Sequence, residues 1–314
     1  MNDMRVLIAG ATGAVGSKLV PLLVAAGHEV VGTTRSEAHF GELERAGAKG
    51  VVMDGLDAAS VRRAVLDARP DVIIHQLTAL KGQVGDMKHF DEGFADTNAL
   101  RTRGTDNLLA AAAEAGVGRF IAQSYTGWPN QRTGGPVKTE EDPLDSNPTK
   151  ASRETLAGIR HVEQRTTDAG GLALRYGNLY GPGNAIGRGG ELVDMVKGRK
   201  LPVVGGGTGV WSFCHIDDAA SAAAAAVTRG APGVYNIVDD DPAPVSVWLP
   251  EFARVIGAKP PMRIPAWMAL PLIGEHGVSM MTQIRGSSNA KAKRELGWEP
   301  AWPSWREGFR RGLG

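Results

Sequence analysis

A single cysteine, Cys214, in 314 residues leaves no internal disulfide to form and fits a reducing cytosol, which predicts a cytoplasmic protein. Long apolar runs are missing too: the alanine-rich stretch at 219–227 is far short of the ~20 residues that cross a bilayer. Charge of one sign is also lacking. Lys and Arg number 35 against 34 Asp and Glu, for a net charge of +1, so no broad field favours nucleic acid or an anionic membrane. No H-x-x-x-H pair occurs among the seven histidines, and Cys214 and His215 are strand neighbours that point opposite ways, so no metal site is expected. A nucleophile elbow is absent, because Gln123-Ser124-Tyr125-Thr126-Gly127 lacks the leading glycine. Gly205-Gly206-Gly207 has no following lysine and reads as a turn rather than a P-loop. The chain opens almost directly on an apolar strand, from which no secretory leader is expected.

Glycine, in contrast, is abundant, and three of its 42 copies carry the strongest signal. Met4-Arg-Val-Leu-Ile-Ala-Gly10-Ala-Thr-Gly13-Ala-Val-Gly16 runs from a short apolar strand through a glycine-rich turn into an apolar helix. Gly10 permits the tight turn, Gly13 lets backbone approach a pyrophosphate, and Gly16 lets the helix pack on the strand. The free N–H groups and positive end of that helix then face the phosphates. A nucleotide cofactor follows from this placement more than from the glycines alone.

Apolar runs at 6–9, 29–34, 50–53, 72–76, 119–123 and 172–175 read as buried parallel strands. They alternate with helical patterns near 15–26, 37–46, 57–68, 97–115 and 151–169, with Asp57 as the N-cap of the third. This alternation predicts an α/β doubly wound parallel sheet over about residues 1–180. Pro21 falls inside the first helix and should bend it or cost stability. A Pro- and Gly-rich loop at 127–148 follows the fifth strand, where such folds place their sites. From 181 to 314 the pattern shortens and becomes Pro- and Trp-rich, which predicts a smaller C-terminal substrate lobe, some segments of which return to the sheet.

The second strand ends Gly32-Thr33-Thr34-Arg35 with no carboxylate at its tip. An acid there would bond the adenosine ribose of NAD. Arg35 instead suits a 2′-phosphate, with Thr34 adding a hydroxyl, so NADP(H) is expected and NAD(H) is the alternative. Asp54, after the third strand, suits either the adenine amino group or the start of the next helix.

The glycine motif resembles that of the extended short-chain dehydrogenase/reductases, the group that holds nucleotide-sugar epimerases and dehydratases. Further matches run in order: Asp71-Val-Ile-Ile-His75, Asn98 with Gly104-Thr105-Asp106-Asn107-Leu108, and Leu174-Arg-Tyr-Gly-Asn-Leu-Tyr-Gly-Pro-Gly183. Ser212-Phe-Cys-His-Ile-Asp-Asp218, Gly233-Val-Tyr-Asn236, and Ser288-Asn-Ala-Lys291 with Leu296-Gly-Trp298 complete the set. The resemblance implies a Rossmann-type fold with Gly10, Thr12, Gly13, Ala14, Val15 and Gly16 around the pyrophosphate. It implies Leu77, Thr78 and Asn98 beside the cofactor, Tyr176 near the nicotinamide, and Asn178 facing substrate. Family habit adds a homodimer.

The resemblance breaks at the chemistry. The family's Tyr-x-x-x-Lys pair uses a lysine to lower the tyrosine pKa. Here the residues four beyond Tyr125, Tyr176, Tyr180 and Tyr235 are Pro129, Tyr180, Asn184 and Asp239. If Glu163 matches the family's helix glutamate, the two places fall on Thr155 and Ile159. The hydroxyl-bearing place falls best on Thr126, with Ser124 close behind. Tyr125 is then the first candidate for a relocated acid and Tyr176 the second. Lys81, Trp128, Arg188, Trp211 and Arg285 lie where they would wall the substrate space. The expected activity is hydride transfer between NADP(H) and a carbonyl, imine or activated double bond of a small molecule, with Thr126, and Tyr125 or a water, replacing the lost relay. The alternatives are a nucleotide-sugar epimerase or dehydratase and an NADP-sensing regulator without turnover.

Overall fold

A computed structural model describes residues 3–80 and 86–314. Seven strands form one parallel sheet: β1 (Arg5–Ala9), β2 (Glu29–Thr34), β3 (Lys49–Val52), β4 (Val72–His75), β5 (Arg119–Tyr125), β6 (Leu172–Tyr176) and β7 (Gly233–Ile237). Their spatial order is β3-β2-β1-β4-β5-β6-β7, so the winding reverses between β1 and β4. That reversal opens a crevice beyond the carboxyl ends of the strands, where doubly wound sheets bind ligands.

Strand alternation divides the core. Val6 and Ile8 face one side, with Leu19 and Leu23 of α1 (Gly16–Ala25) and the alanines of a helix at Ile216–Ala226. Leu7 and Ala9 face the other, with Val61 and Val65 of α2 (Ala58–Ala68), Leu108 of α3 (Thr105–Ala115) and Val162 of α4 (Arg153–Asp168). Both faces of the sheet are thus covered, as the near-continuous apolar runs require. Asp57 caps α2, its carboxylate accepting from the Ala59 and Ser60 N–H groups. Pro21 does not interrupt α1: it sits on the exposed side of the helix, as does Ser17, whose carbonyl loses a donor.

The pattern expected to be one helix over 97–115 is three pieces: Ala95–Ala99, a π turn at Leu100–Gly104, and α3. β5 runs two residues further than its apolar stretch, which carries Tyr125 to the mouth of the crevice.

A separate apolar cluster holds Trp211, Phe213, Trp248, Phe252, Trp305 and Phe309, mainly from the second half of the chain. Its rings interlock, with centroids 4.8 Å apart for Trp211–Trp248 and 5.2 Å for Phe213–Phe309. Tyr125 and Phe94 pack against this cluster from the sheet side. Among the described residues no helix is long and apolar enough to cross a membrane.

Candidate active site

The glycine turn after β1 is shaped by contacts no side chain would allow. Gly10 has φ +92°, and a Cβ there would lie 2.9 Å from the Gln76 carbonyl oxygen at the end of β4. A Cβ on Gly16 would stand 2.2 Å from the Gly10 oxygen, so α1 begins pressed against the turn. Gly13 and Ala14 are exposed, Thr12 is half-buried and Val15 packs into the core. The N–H groups of Ala14, Val15 and Gly16 donate no backbone hydrogen bond among the described residues. This cradle of free amides at a helix start fits a dinucleotide pyrophosphate.

Around the cradle, Thr33 Oγ1 accepts from the Gly10 N–H at 3.2 Å. Thr34 is buried, and its hydroxyl closes a local turn with the backbone of Ser36. That turn projects Arg35 into solvent, without a partner among the described residues. Asp54 accepts from the Leu56 N–H at 2.9 Å, an Asx turn leading to α2. Leu77 is half-buried, its carbonyl accepting from Gln123 Nε2 at 3.2 Å, and Thr78 is exposed. Lys81 lies outside the described residues.

The places that the resemblance gives to tyrosine and lysine hold Thr155 and Ile159, both fully buried on α4. Thr155 donates to Asp91 Oδ1 at 2.6 Å and accepts from Asn98 Nδ2 at 3.0 Å. Its one O–H donor is spent on Asp91, and neither position carries an ionisable side chain. Ser124 is likewise committed, donating at 2.6 Å to Glu163 Oε1 within a buried pair in which Arg175 meets both Glu163 oxygens at 2.7 Å.

Tyr125, one residue on, turns the other way. Its hydroxyl donates to Asn178 Oδ1 at 2.7 Å, while Asn178 Nδ2 donates to the Ser212 carbonyl. Burial pushes the Tyr125 phenol well above its usual range, against the opposing pull of the Arg101 guanidinium. It is therefore a neutral donor at physiological pH. Tyr176 pairs with Tyr125 in the register of β5 and β6, and its buried hydroxyl meets Gln76 Nε2 at 3.0 Å. Thr126 is fully buried, its Oγ1 lying 2.6 Å from Ser287 Oγ and its N–H donating to the Tyr176 carbonyl. The structure thus gathers Tyr125, Thr126, Tyr176 and Asn178 at the carboxyl ends of β5 and β6.

The other expected substrate residues spread out. Trp128 packs edge-on to Phe90 at 5.4 Å and near Tyr125 at 6.5 Å. Trp211 lies in the second cluster, its indole donating to the Met280 carbonyl at 2.9 Å. Arg285 lines a 440 Å³ cavity with Arg132, Asn147 and Gln283, at some remove along the loop after β5. Arg188 is exposed. Sequence reasoning missed Gln76, Asp91, Arg101 and Ser287. None of the four left a local signal in the sequence.

Two buried histidines border this region. His75 accepts from the Leu77 N–H and also bonds the Leu100 backbone; His276 touches Thr149 and stacks near Phe90. Burial pushes both down from 6.5 to about 4. A depressed histidine contributes stability above its unfolded pKa and loses it as pH falls toward the folded one. The stability gap between wild type and His276→Asn is therefore expected to shrink by about 2 kcal/mol from pH 7 to pH 5. Urea unfolding at the two pH values measures it; a constant gap would contradict the neutral buried ring.

Comparison with known proteins agrees with this geometry. Residues 6–238 match the NAD dependent epimerase/dehydratase family. A 3-diazoavenalumate denitrifying reductase from Streptomyces sp is 43% identical over 311 residues, covering 98% of this chain and 100% of that protein. A 2-alkyl-3-oxoalkanoate reductase from Stenotrophomonas maltophilia is 28% identical, covering 98% of each. Among solved structures, a UDP-glucose 4-epimerase from Thermotoga maritima with UDP-glucose superposes with TM-score 0.75 at 22% identity, covering 99% of this chain and 97% of that one. A Streptomyces venezuelae dTDP-glucose 4,6-dehydratase with NAD bound gives 0.76 at 21%, covering 99% and 96%. The chain belongs to the NAD dependent epimerase/dehydratase family and is an NAD(P)-dependent oxidoreductase of it.

Proposed function

We propose that the protein is an NADPH-dependent reductase that acts on an electrophilic carbon of a small carboxylate. The target is a carbonyl, imine or activated double bond or, by kinship with the 43% relative, a carbon bearing a diazo group. Both reductase relatives are named for carboxylates, an avenalumate and an oxoalkanoate. The observation that carries the reading is the Tyr125–Asn178 pair at the mouth of the crevice, standing where Thr155 and Ile159 leave no proton relay.

Gly10, Gly13 and Gly16, with the amides of Ala14 and Val15, would hold the pyrophosphate; Arg35 would meet the 2′-phosphate, with Thr12, Asp54, Leu77, Thr78 and Tyr176 along the dinucleotide. When bound, the reduced nicotinamide supplies the hydride. Tyr125 donates the balancing proton, giving CH–OH from a carbonyl, or CH₂ and dinitrogen from a diazo carbon. Asn178 fixes the Tyr125 hydroxyl, and Thr126, locked to Ser287, positions the end of β5. A phenol that burial holds protonated serves as an acid but not as the base that an epimerase or dehydratase needs for its oxidation step. This favours reduction over those readings.

The test has two arms. Loss of NADPH absorbance with a diazo carboxylate or a 3-oxoalkanoate, with a matching product, is expected; tight NADPH binding that no substrate consumes would favour a sensor. Arg35→Ala is expected to weaken NADPH about tenfold or more while leaving NADH nearly unchanged. Equal losses would remove Arg35 from cofactor choice.

A further inference from the structure

The π turn at Leu100–Gly104 breaks the central helix at one place, and Arg101 is the residue it turns inward. Such turns add a residue to the helical ladder and re-aim the side chain they carry. Here the Thr105 N–H reaches back to the Leu100 carbonyl, and the His75 ring, itself buried, bonds the Leu100 backbone. The turn is therefore held by the end of β4 and is part of the site's frame.

Arg101 is 9% exposed, yet it has no carboxylate partner among the described residues. Its one side-chain hydrogen bond among the described residues runs from Nη1 to Asn98 Oδ1 at a long 3.4 Å, and its guanidinium lies 6.0 Å from the Phe94 ring. Arg175, the other deeply buried arginine nearby, is paired on both sides with Glu163. Among the described residues Arg101 thus leaves most of its five N–H donors without an acceptor. Burial lowers its pKa only to about 10, so the group is a cation at neutral pH.

We infer that Arg101 is the receptor for the substrate's carboxylate, set across the mouth of the crevice from Tyr125. An unpaired buried cation is unfavourable, and an incoming anion relieves it. A planar guanidinium with free parallel donors matches a carboxylate in fork geometry. Phe94 and Tyr125 both pack against the second apolar cluster, and the Arg101 guanidinium lies beside the Phe94 ring on that side. Phe94, Phe90, Trp128 and Tyr125 form a chain of rings beside it, which suits an aryl or alkenyl body behind the carboxylate. The inference deepens the reductase reading and rests on it for the word substrate.

Trans-cinnamate and its methyl ester, titrated into the NADP⁺-saturated full chain by calorimetry, test it. The wild type should bind the acid at least tenfold more tightly than the ester. Arg101→Gln should erase that preference, Arg101→Lys should restore part of it, and NADPH affinity should stay within about twofold in both. Ligand-free Arg101→Met should unfold at a temperature no lower than wild type, showing that the fold does not depend on the cation. No preference in the wild type, or one that survives in Arg101→Gln, overturns the inference. A parallel loss of NADPH affinity assigns the cation to a cofactor phosphate and overturns it as well. NADPH that fails to bind the wild type would instead defeat the reductase reading, whatever cinnamate does.

Discussion

Tyr125→Phe is expected to lower kcat by about two orders of magnitude while leaving the Kd for NADPH within about twofold, since one positioned acid is worth roughly 10²–10⁴. The variant removes one oxygen and keeps the ring that packs against the second cluster, so folding is preserved. Asn178→Leu should give a smaller loss, because Asn178 orients the hydroxyl without touching the transferred proton. Tyr176→Phe supplies the comparison: its hydroxyl meets Gln76 deeper in the sheet, and its removal should cost under tenfold in rate. A Tyr125→Phe enzyme as fast as wild type, under conditions where chemistry limits turnover, would return the acid role to water or to Tyr176.

Glu163→Ala is expected to destabilise the fold by about 3–5 kcal/mol, the usual outcome when one partner of a buried ion pair is removed. Glu163 receives three charge-assisted bonds, two from Arg175 and one from Ser124, and all three residues are buried. The alanine leaves the Arg175 guanidinium charged and alone between α4 and β6. Replacing both partners, as Glu163→Met with Arg175→Met, should cost much less, because no orphaned charge remains. Urea unfolding of the single and double variants separates the two cases; equal losses would mean that the pair acts only through its volume.

The sheet was legible because its strands are buried on both faces and so read as unbroken apolar runs, such as Val6–Ala9 against Val72–His75. The glycine cradle was legible for a different reason: backbone that passes within 3 Å of other backbone tolerates no side chain, and that exclusion is written directly in the residue type. The chemistry was harder to read. Strand alternation separates Tyr125 from Ser124, as period two requires, but the partner Asn178 lies 53 residues away and is brought near only by β6. Arg101 was hidden by periodicity, since an extra residue in a π turn leaves no mark on an alanine- and leucine-rich helical pattern. The capping of α4 by Asp91, which spends the hydroxyl of Thr155, depends on a contact across 64 residues and has no local signature.

The seventh strand has a consequence for how the polypeptide is made. Gly233–Ile237 completes the sheet only after the chain has passed through about half of the second apolar cluster, and a helix at Ala290–Leu296 then covers it. While the ribosome is still adding residues 177–232, the outer rim of Leu172–Tyr176 stands open, offering unpaired amides and carbonyls to any neighbouring nascent chain. Synthesis slowed within that window would leave the open sheet edge exposed for longer, so codon choice there is expected to affect soluble yield.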